Sequence, residues 1–298
     1  MNSFSNDVIL CIASYLRSNE LLNLALTCRR FGAKNTTHQD NLSLMEEAAL
    51  QYTMEQTEAE RETLSRFNIQ SCLELYHELQ RLRSPLIFDR LIGQNIEYVD
   101  EGYSEIALLR YQLRFGREIY REDKKKMCIW CASTETNTAI SNKRMRGGKH
   151  CVTFTKYGYG RMNVGIIRPM KVEGGDEILW FDPLERRCWD NMIQCRTTNN
   201  EWEANTVNCC MYNSFTGSCC WSDCTTNTTY ETWTGMEYLQ GEGAISLELD
   251  LEEGTLTVHK DSVRLGVMKT SGLSGEFCWI ASIWGGSKVG IKWGLQYL

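Results

Sequence analysis

The sequence has little of what an enzyme or a nucleic-acid-binding protein displays. Basic residues do not exceed acidic ones: 32 Lys and Arg stand against 38 Asp and Glu, a net charge of −6. No basic excess is present to hold nucleic acid. No apolar run approaches the ~18 residues that a membrane helix requires, so no membrane partner is expected. Histidine is scarce: His38, His77, His150 and His259 are the four present, and none stands in HExxH. A nucleophile elbow is missing too. Gly147-Gly148-Lys149-His150 lacks the leading glycine and the trailing Ser or Thr of a phosphate-binding loop. Only one CxxC occurs, Cys128-Ile129-Trp130-Cys131, and on a strand its two thiols would point to opposite faces. Val8 to Leu16 is short, follows Asp7 and has no basic residue ahead of it, so a signal peptide is not expected. The expected location is therefore cytoplasmic or nuclear, and the glycosylation sequons at Asn35, Asn41 and Asn227 are chance matches. No cofactor and no metal site is expected.

What is present begins with strands. Between Gly241 and Gly294, Ile245, Leu247 and Leu249 alternate with Ser246, Glu248 and Asp250, and Leu256 with Val258 repeats the pattern after a turn at Glu252-Glu253-Gly254. A further turn at Lys260-Asp261-Ser262 leads to Val263, Leu265 and Val267, and Gly272-Leu273-Ser274-Gly275 precedes Phe277 to Trp284. That last run is apolar on both parities, which predicts a strand covered on both sides. After Gly285-Gly286, Val289, Ile291 and Trp293 alternate with Lys288 and Lys292. Short strands at even spacing, separated by glycine turns, predict an antiparallel sandwich.

Several of these motifs occur together in a known order. Leu249-Asp250-Leu251 with Gly254-Thr255-Leu256, Leu265-Gly266-Val267, Gly272-Leu273-Ser274-Gly275 and Val289-Gly290-Ile291 resemble the C-terminal half of a SPRY domain. Upstream, Arg146-Gly147-Gly148-Lys149-His150 and Val164-Gly165-Ile166-Ile167-Arg168-Pro169 are similar to the strands flanking its first long hairpin. The resemblance implies a bent β-sandwich over 85–298, best matched from about residue 135, that binds proteins or peptides through loops at one end.

The N-terminus reads as helices. Asn6 and Ser18 suit N-caps, Ile9, Ile12, Ala13 and Leu16 recur at helical spacing, and Leu22, Ala25 and Leu26 share a face. Val8-Ile9 with Ile12 and Leu16, then Leu21-Leu22, then Cys28-Arg29-Arg30-Phe31, follow without a gap the pattern of an F-box, which this stretch resembles over 1–40. It departs at the start, where Phe4-Ser5 stands in place of Leu-Pro. The resemblance implies that Phe4, Val8, Ile9, Ile12, Leu16, Leu21 and Leu22 dock on an SKP-type adaptor, and through it a cullin. The stripe alone also fits a helical cap that packs on downstream residues.

Residues 41–84 stay helical, with Leu44, Ala48 and Tyr52, a Ser71-x-x-Glu74 cap, and Leu75, Leu79 and Leu82 before Ser84-Pro85. They read as a connector between two binding ends, or as helices folded back on the sandwich. The fold class is thus α+β and multidomain: an F-box-like module, a helical connector and a SPRY-type antiparallel sandwich. Leu86-Ile87-Phe88 and Ile96 to Val99 start the sandwich. Residues 109–116 fit a half-buried strand better than a helix, and Arg110, Arg114, Arg117 and Arg121 with Lys124-Lys125-Lys126 form a basic stripe, ordinarily a solvated face.

The protein holds 14 cysteines, half of them in an insertion at 180–238 that is also rich in Trp and Tyr. They read as reduced thiols, partly in buried strands at Cys209 to Tyr212 and Cys219 to Trp221. Rigid aromatic side chains supply contact area in binding loops. Candidate contacts for an unknown target protein are Tyr157, Tyr159 and Arg161 on a hairpin loop, with Trp180, Trp202, Tyr230 and Trp233. Taken together these features imply a non-catalytic substrate-recognition subunit of an SCF (SKP–cullin–F-box) ubiquitin ligase. Two other readings stand beside it: a SPRY interaction adaptor that does not join a ligase, and a thiol- or zinc-dependent enzyme built on the cysteine-rich insertion.

Overall fold

The computed structural model describes residues 6–13, 16, 18–27, 29–32, 42–54, 56–64, 71–99, 126–171, 178–194, 206–224 and 228–294. The protein divides into two compact units, Met1–Ser84 and Pro85–Leu298. The basic stripe from Arg110 to Lys125 and the expected strand at 109–116 lie outside the described residues.

The first unit contains α1 (Asn6–Ala13), α2 (Ser18–Thr27), α3 (Arg29–Gly32), α4 (Leu44–Thr53), α5 (Glu58–Leu64) and α6 (Cys72–Arg83). Three of these helices start on reciprocal or single caps that satisfy otherwise orphaned amide groups. Ser43 Oγ accepts from the Glu46 amide while Glu46 accepts from the Ser43 amide, and Thr57 with Glu60 repeats the arrangement. Ser71 Oγ accepts from the Glu74 amide at the start of α6, at the cap expected there. Ile9 and Ala13 of α1, Leu21 of α2, Met45, Ala48 and Ala49 of α4, and Tyr76 of α6 form one core. Tyr76 stacks on Tyr52 at 4.8 Å between ring centroids and donates from Oη to the Leu16 carbonyl. Glu60 and Arg83 form a paired salt bridge, with contacts of 2.8 and 3.0 Å, that ties α5 to α6. The expected division at residue 40 does not appear in this packing. Helices as short as α1 and α2 cannot bury a stripe alone, and α4 and α6 supply the other side.

The second unit is a sandwich of two antiparallel sheets. Its strands are β1 (Phe88–Ile92), β2 (Ile96–Tyr98), β3 (Cys128–Cys131), β4 (Asn137–Met145), β5 (Lys149–Tyr157), β6 (Arg161–Ile167) and β7 (Cys209–Asn213). They continue with β8 (Cys219–Ser222), β9 (Thr228–Glu231), β10 (Gly243–Asp250), β11 (Thr255–Lys260), β12 (Val263–Lys269), β13 (Phe277–Trp284) and β14 (Ser287–Trp293). One sheet has the order β1-β4-β13-β6-β7-β8-β9 and the other β12-β11-β10-β5-β14-β3-β2. The alternation read from sequence sets the register: Leu247 lies opposite Val258 and Leu249 opposite Leu256, all facing the core between the sheets. In β12 the buried side chain is Met268 and Val263 is exposed. Two register shifts against β11 turn this edge strand away from simple alternation.

The sheet built around β13 is buried on both faces. Phe277, Trp279, Ala281 and Ile283 enter the core between the sheets, whereas Cys278 and Ile280 face a second core. That second core is closed by residues 178–194, which bring Phe181, Leu184, Cys188, Trp189 and Met192 against Cys209, Met211 and Cys220. The segment includes α7 (Trp189–Gln194). Thr138 Oγ1 donates to the Phe181 carbonyl and shares a 2.7 Å contact with Ser282 Oγ, which seats the segment on the sheet.

Within this layer Asp182 is buried, and its Oδ1 accepts from the Leu184 amide at 2.9 Å. Burial pushes its carboxyl up to about 6, against the pull of that amide. The folded-state value lies above the unfolded one, so ionisation costs stability, and the cost grows as pH rises from about 4 to about 6 and is constant above. Asp182→Asn keeps the acceptor and removes the charge. The variant is expected to be more stable than wild type at pH 7.5 by about 3 kcal/mol and nearly equal in stability at pH 4, read as the difference in urea midpoints across pH. A constant difference across that range would show that the charge is not the cause.

Candidate functional site

Register places many turns at one end of the sandwich. Arg161 pairs with Trp284, Asn163 with Asn213, Gly243 with Lys156 and Ile245 with Lys260. The β5–β6, β7–β8, β11–β12 and β13–β14 turns therefore gather there, together with the segment 232–242 that links β9 to β10. The β13–β14 turn is the dipeptide Gly285-Gly286 with φ of 70° and 77°, the left-handed pair that a tight hairpin requires. Its amides donate to the Ser133 and Cys131 carbonyls, which fixes the β3–β4 loop beside it.

The segment 232–242 works as a strap across this end. Trp233 Nε1 donates to the Gly217 carbonyl at 2.8 Å, and the Leu239 amide donates to the Ser214 carbonyl at 2.8 Å. Tyr212 Oη donates to the Glu237 carbonyl from within the core. Lys260 Nζ pairs with Glu237 Oε2 at 3.0 Å. The Gly158 amide donates to Glu242 Oε1 at 3.2 Å, joining the strap to the β5–β6 turn. On this framework Tyr159 is 93% exposed, Phe215 61% and Tyr238 56%. Arg161 lies over the Phe215 ring at 4.1 Å. Rigid strands carrying exposed aromatic residues on turns form a surface suited to protein contact.

Of the residues expected to contact a target, Tyr157, Tyr159, Arg161 and Trp233 are at this end, although Trp233 is half-buried and serves the strap. Trp180 approaches from the side: Leu179 and Phe181 on either side of it bond Gln94 and Thr136, while its ring packs on the second core beneath Arg187. Tyr230 is exposed on the edge strand β9. Trp202 lies outside the described residues. Sequence reasoning misses Phe215 and Tyr238. The signal for Phe215 is an apolar residue within Asn213 to Gly217, where the Asn213 side chain accepts from the Phe215 and Thr216 amides to form the turn.

Residues expected to meet an adaptor separate into two sets. Ile9 and Leu21 belong to the core of the helical unit. Val8, Ile12 and Leu22 are 43%, 54% and 49% exposed. Leu16 is half-buried with its carbonyl occupied by Tyr76, and Phe4 lies outside the described residues.

The cysteines do not assemble a reactive centre among the described residues. Cys210 and Cys219 face the core with sulfurs 3.7 Å apart, and Cys209, Cys220 and Cys224 face the second core. Burial pushes the Cys188 and Cys220 thiols each up to about 11 and the Cys209 thiol well above its ordinary value. The contact with Cys219, and then burial, raises Cys210. Such thiols stay protonated at neutral pH and are poor nucleophiles. On the outer face of the other sheet Cys151 lies opposite Glu248, and Glu248 rather than Cys151 approaches His259, at 3.8 Å. No group of three or more His, Cys, Asp or Glu residues able to hold a metal ion occurs among the described residues. No helix among them is long and apolar enough to cross a membrane.

No protein-family model matches the sequence, and no curated protein matches it. Among solved structures it is similar to the SPRY domain of human HERC1, at 14% identity and a TM-score of 0.41, covering 57% of this chain and 91% of that one. It is also similar to the TRIM65 PSpry domain, at 9% identity and a TM-score of 0.40, covering 72% of this chain and 95% of that one.

The thiol geometry gives a direct expectation. In native protein at neutral pH, iodoacetamide should label the exposed Cys11 and leave Cys128, Cys131, Cys188, Cys209, Cys210, Cys219, Cys220, Cys224 and Cys278 unlabelled until denaturant is added. Peptide mass spectrometry reads each site, and rapid native labelling of any of the nine would contradict the burial of these side chains.

Proposed function

We propose that the protein is the substrate-recognition subunit of an SCF-type ubiquitin ligase, with the helical unit docking on an SKP-type adaptor and the loop end of the sandwich holding a target protein. It acts in the cytoplasm or nucleus and supplies proximity, while another subunit performs the transfer. The observation that carries this reading is the second apolar stripe of the N-terminal helices. Ile9 and Ala13 already fill the inward face of α1, yet Val8 and Ile12, one helical turn apart, are exposed, and on α2 Leu22 and Leu26 repeat the spacing outward. A helix that offers apolar side chains on a face away from its own core is suited to a partner's groove. The order of residues from Val8 to Phe31, which resembles an F-box, supports an SKP-type adaptor as that partner. The aromatic turns at the loop end and the SPRY-like motif order support a protein-binding role for the sandwich. Buried, protonated thiols support a non-catalytic one.

The burial pattern decides which substitutions test the reading. Changes at Ile9 or Leu21 would disturb the core, at a cost of about 2–5 kcal/mol for truncation of a buried aliphatic side chain. Val8→Asp, Ile12→Asp and Leu22→Asp alter exposed positions, where stability changes are usually within about 0.5 kcal/mol. Wild-type protein is expected to capture the host SKP adaptor and cullin in a pull-down, and the triple variant to lose both while its circular dichroism spectrum and melting temperature stay close to wild type. Capture of neither by wild type, or undiminished capture by a folded triple variant, would overturn the ligase reading.

A further inference from the structure

Trp130 lies on the outer face of the second sheet, one residue before β3 ends. Ile129 and Cys131 on either side of it face the core between the sheets, so the indole faces outward, and it is 36% exposed. Register sets Glu97 of β2 on one side of Trp130 and Lys288 of β14 on the other. Ile96 and Tyr98 pack on the core, and Glu97 between them is exposed on the same outward face as Trp130. The Lys288 ammonium lies 5.3 Å from the ring centroid of Tyr157 on β5, on the far side of β14 from Trp130. No described residue pairs with the Glu97 carboxylate or sets a cation on the Trp130 ring. The Gly285-Gly286 turn joins this rim to the loop end. The Gly286 amide donates to the Cys131 carbonyl at 3.0 Å, and a Cβ at Gly285 would stand 4.0 Å from Gly160 Cα, next to Tyr159.

The same chain holds a completed version of this arrangement. Trp221 on β8 and Glu231 on the adjacent β9 take Lys269 of β12, whose Nζ is 4.2 Å from the Trp221 ring centroid and 3.6 Å from Glu231 Oε2. Trp221 Nε1 donates to Glu231 Oε1 at 2.8 Å, which fixes the carboxylate beside the ring. A ring face and a carboxylate on neighbouring strands thus hold one ammonium between them. Trp130 and Glu97 repeat the ring and the carboxylate, on strands that pair them directly, with no described cation between them. We propose that Glu97 and Trp130 receive a lysine or arginine side chain of the target, so that the segment held at this rim is basic. This rests on the reading of the loop end as the target-binding surface. The cation stacks on the exposed indole face while its N–H groups donate to Glu97. The net charge of −6 favours the approach of such a segment.

The test uses the full-length protein and a phage-displayed library of short random peptides, panned on wild type, Trp130→Leu, Glu97→Gln and Tyr159→Ala. Wild type is expected to select peptides sharing a lysine or arginine. In synthetic copies, changing that lysine to norleucine or that arginine to citrulline should weaken binding to wild type about tenfold and leave binding to Trp130→Leu unchanged. Binding of the basic peptides should also weaken with added salt, and Glu97→Gln should reduce that dependence, which a merely structural role of Glu97 would not do. Circular dichroism and melting temperature of all three variants should stay close to wild type, since the substituted side chains are at the surface. Selection of peptides without a basic residue, a loss on neutralisation that persists in Trp130→Leu, or an unchanged salt dependence in Glu97→Gln would overturn the proposal. In those cases weakened capture by Tyr159→Ala would leave the loop end standing as a binding surface. Absence of captured peptides, or capture unaffected by any of the three variants, would sink the loop-end reading and the proposal with it.

Discussion

The sandwich depends on covering the outer face of the sheet that contains β13. Its strands are apolar on both parities, and without residues 178–194 it would expose Ile140, Cys209, Met211, Cys220, Cys278 and Ile280. Each large apolar side chain withdrawn from water there contributes on the order of 1.5–3 kcal/mol. The cover also organises the loop end. Hydrogen bonds from Gln94 to Leu179 and from Phe181 to Thr136 hold the β1–β2 and β3–β4 turns to the same segment that closes the second core. A buried carboxyl, Asp182, is tolerated within it because the backbone must turn there and the Leu184 amide needs an acceptor.

The loop end inherits its rigidity from these layers. Its strap is fixed at both sheets, by Trp233 and Leu239 to the β7–β8 turn and by Glu237 to Lys260 on β11. Exposed aromatic residues therefore project from backbone that is already fixed. In the helical unit one apolar stripe makes the core with α4 and α6, and the other, with Val8, Ile12, Leu22 and Leu26, is exposed.

Much of this was legible in the residues. Alternation at Ile245 to Leu249 and Leu256 to Val258 predicts the register found between β10 and β11, and the double-sided β13 predicts a covered sheet. The Ser71 cap and the buried cysteine strands are equally local in origin. The cover at 178–194 was not readable, because an aromatic-rich loop has the same composition whether its rings pack on a sheet or face a partner. Trp180 and Trp233 show the difficulty: composition places both at a binding surface, and both are half-buried supports.

The sequence by itself determined strand parity, turn positions and helix starts, since these follow from side-chain periodicity and local hydrogen bonding within a few residues. Only the tertiary structure decided which of two apolar stripes on α1 is core, that the helices on either side of residue 40 share that core, and which aromatic residues remain exposed. Those outcomes depend on which distant surface reaches a given side chain first, and no local pattern encodes that contact.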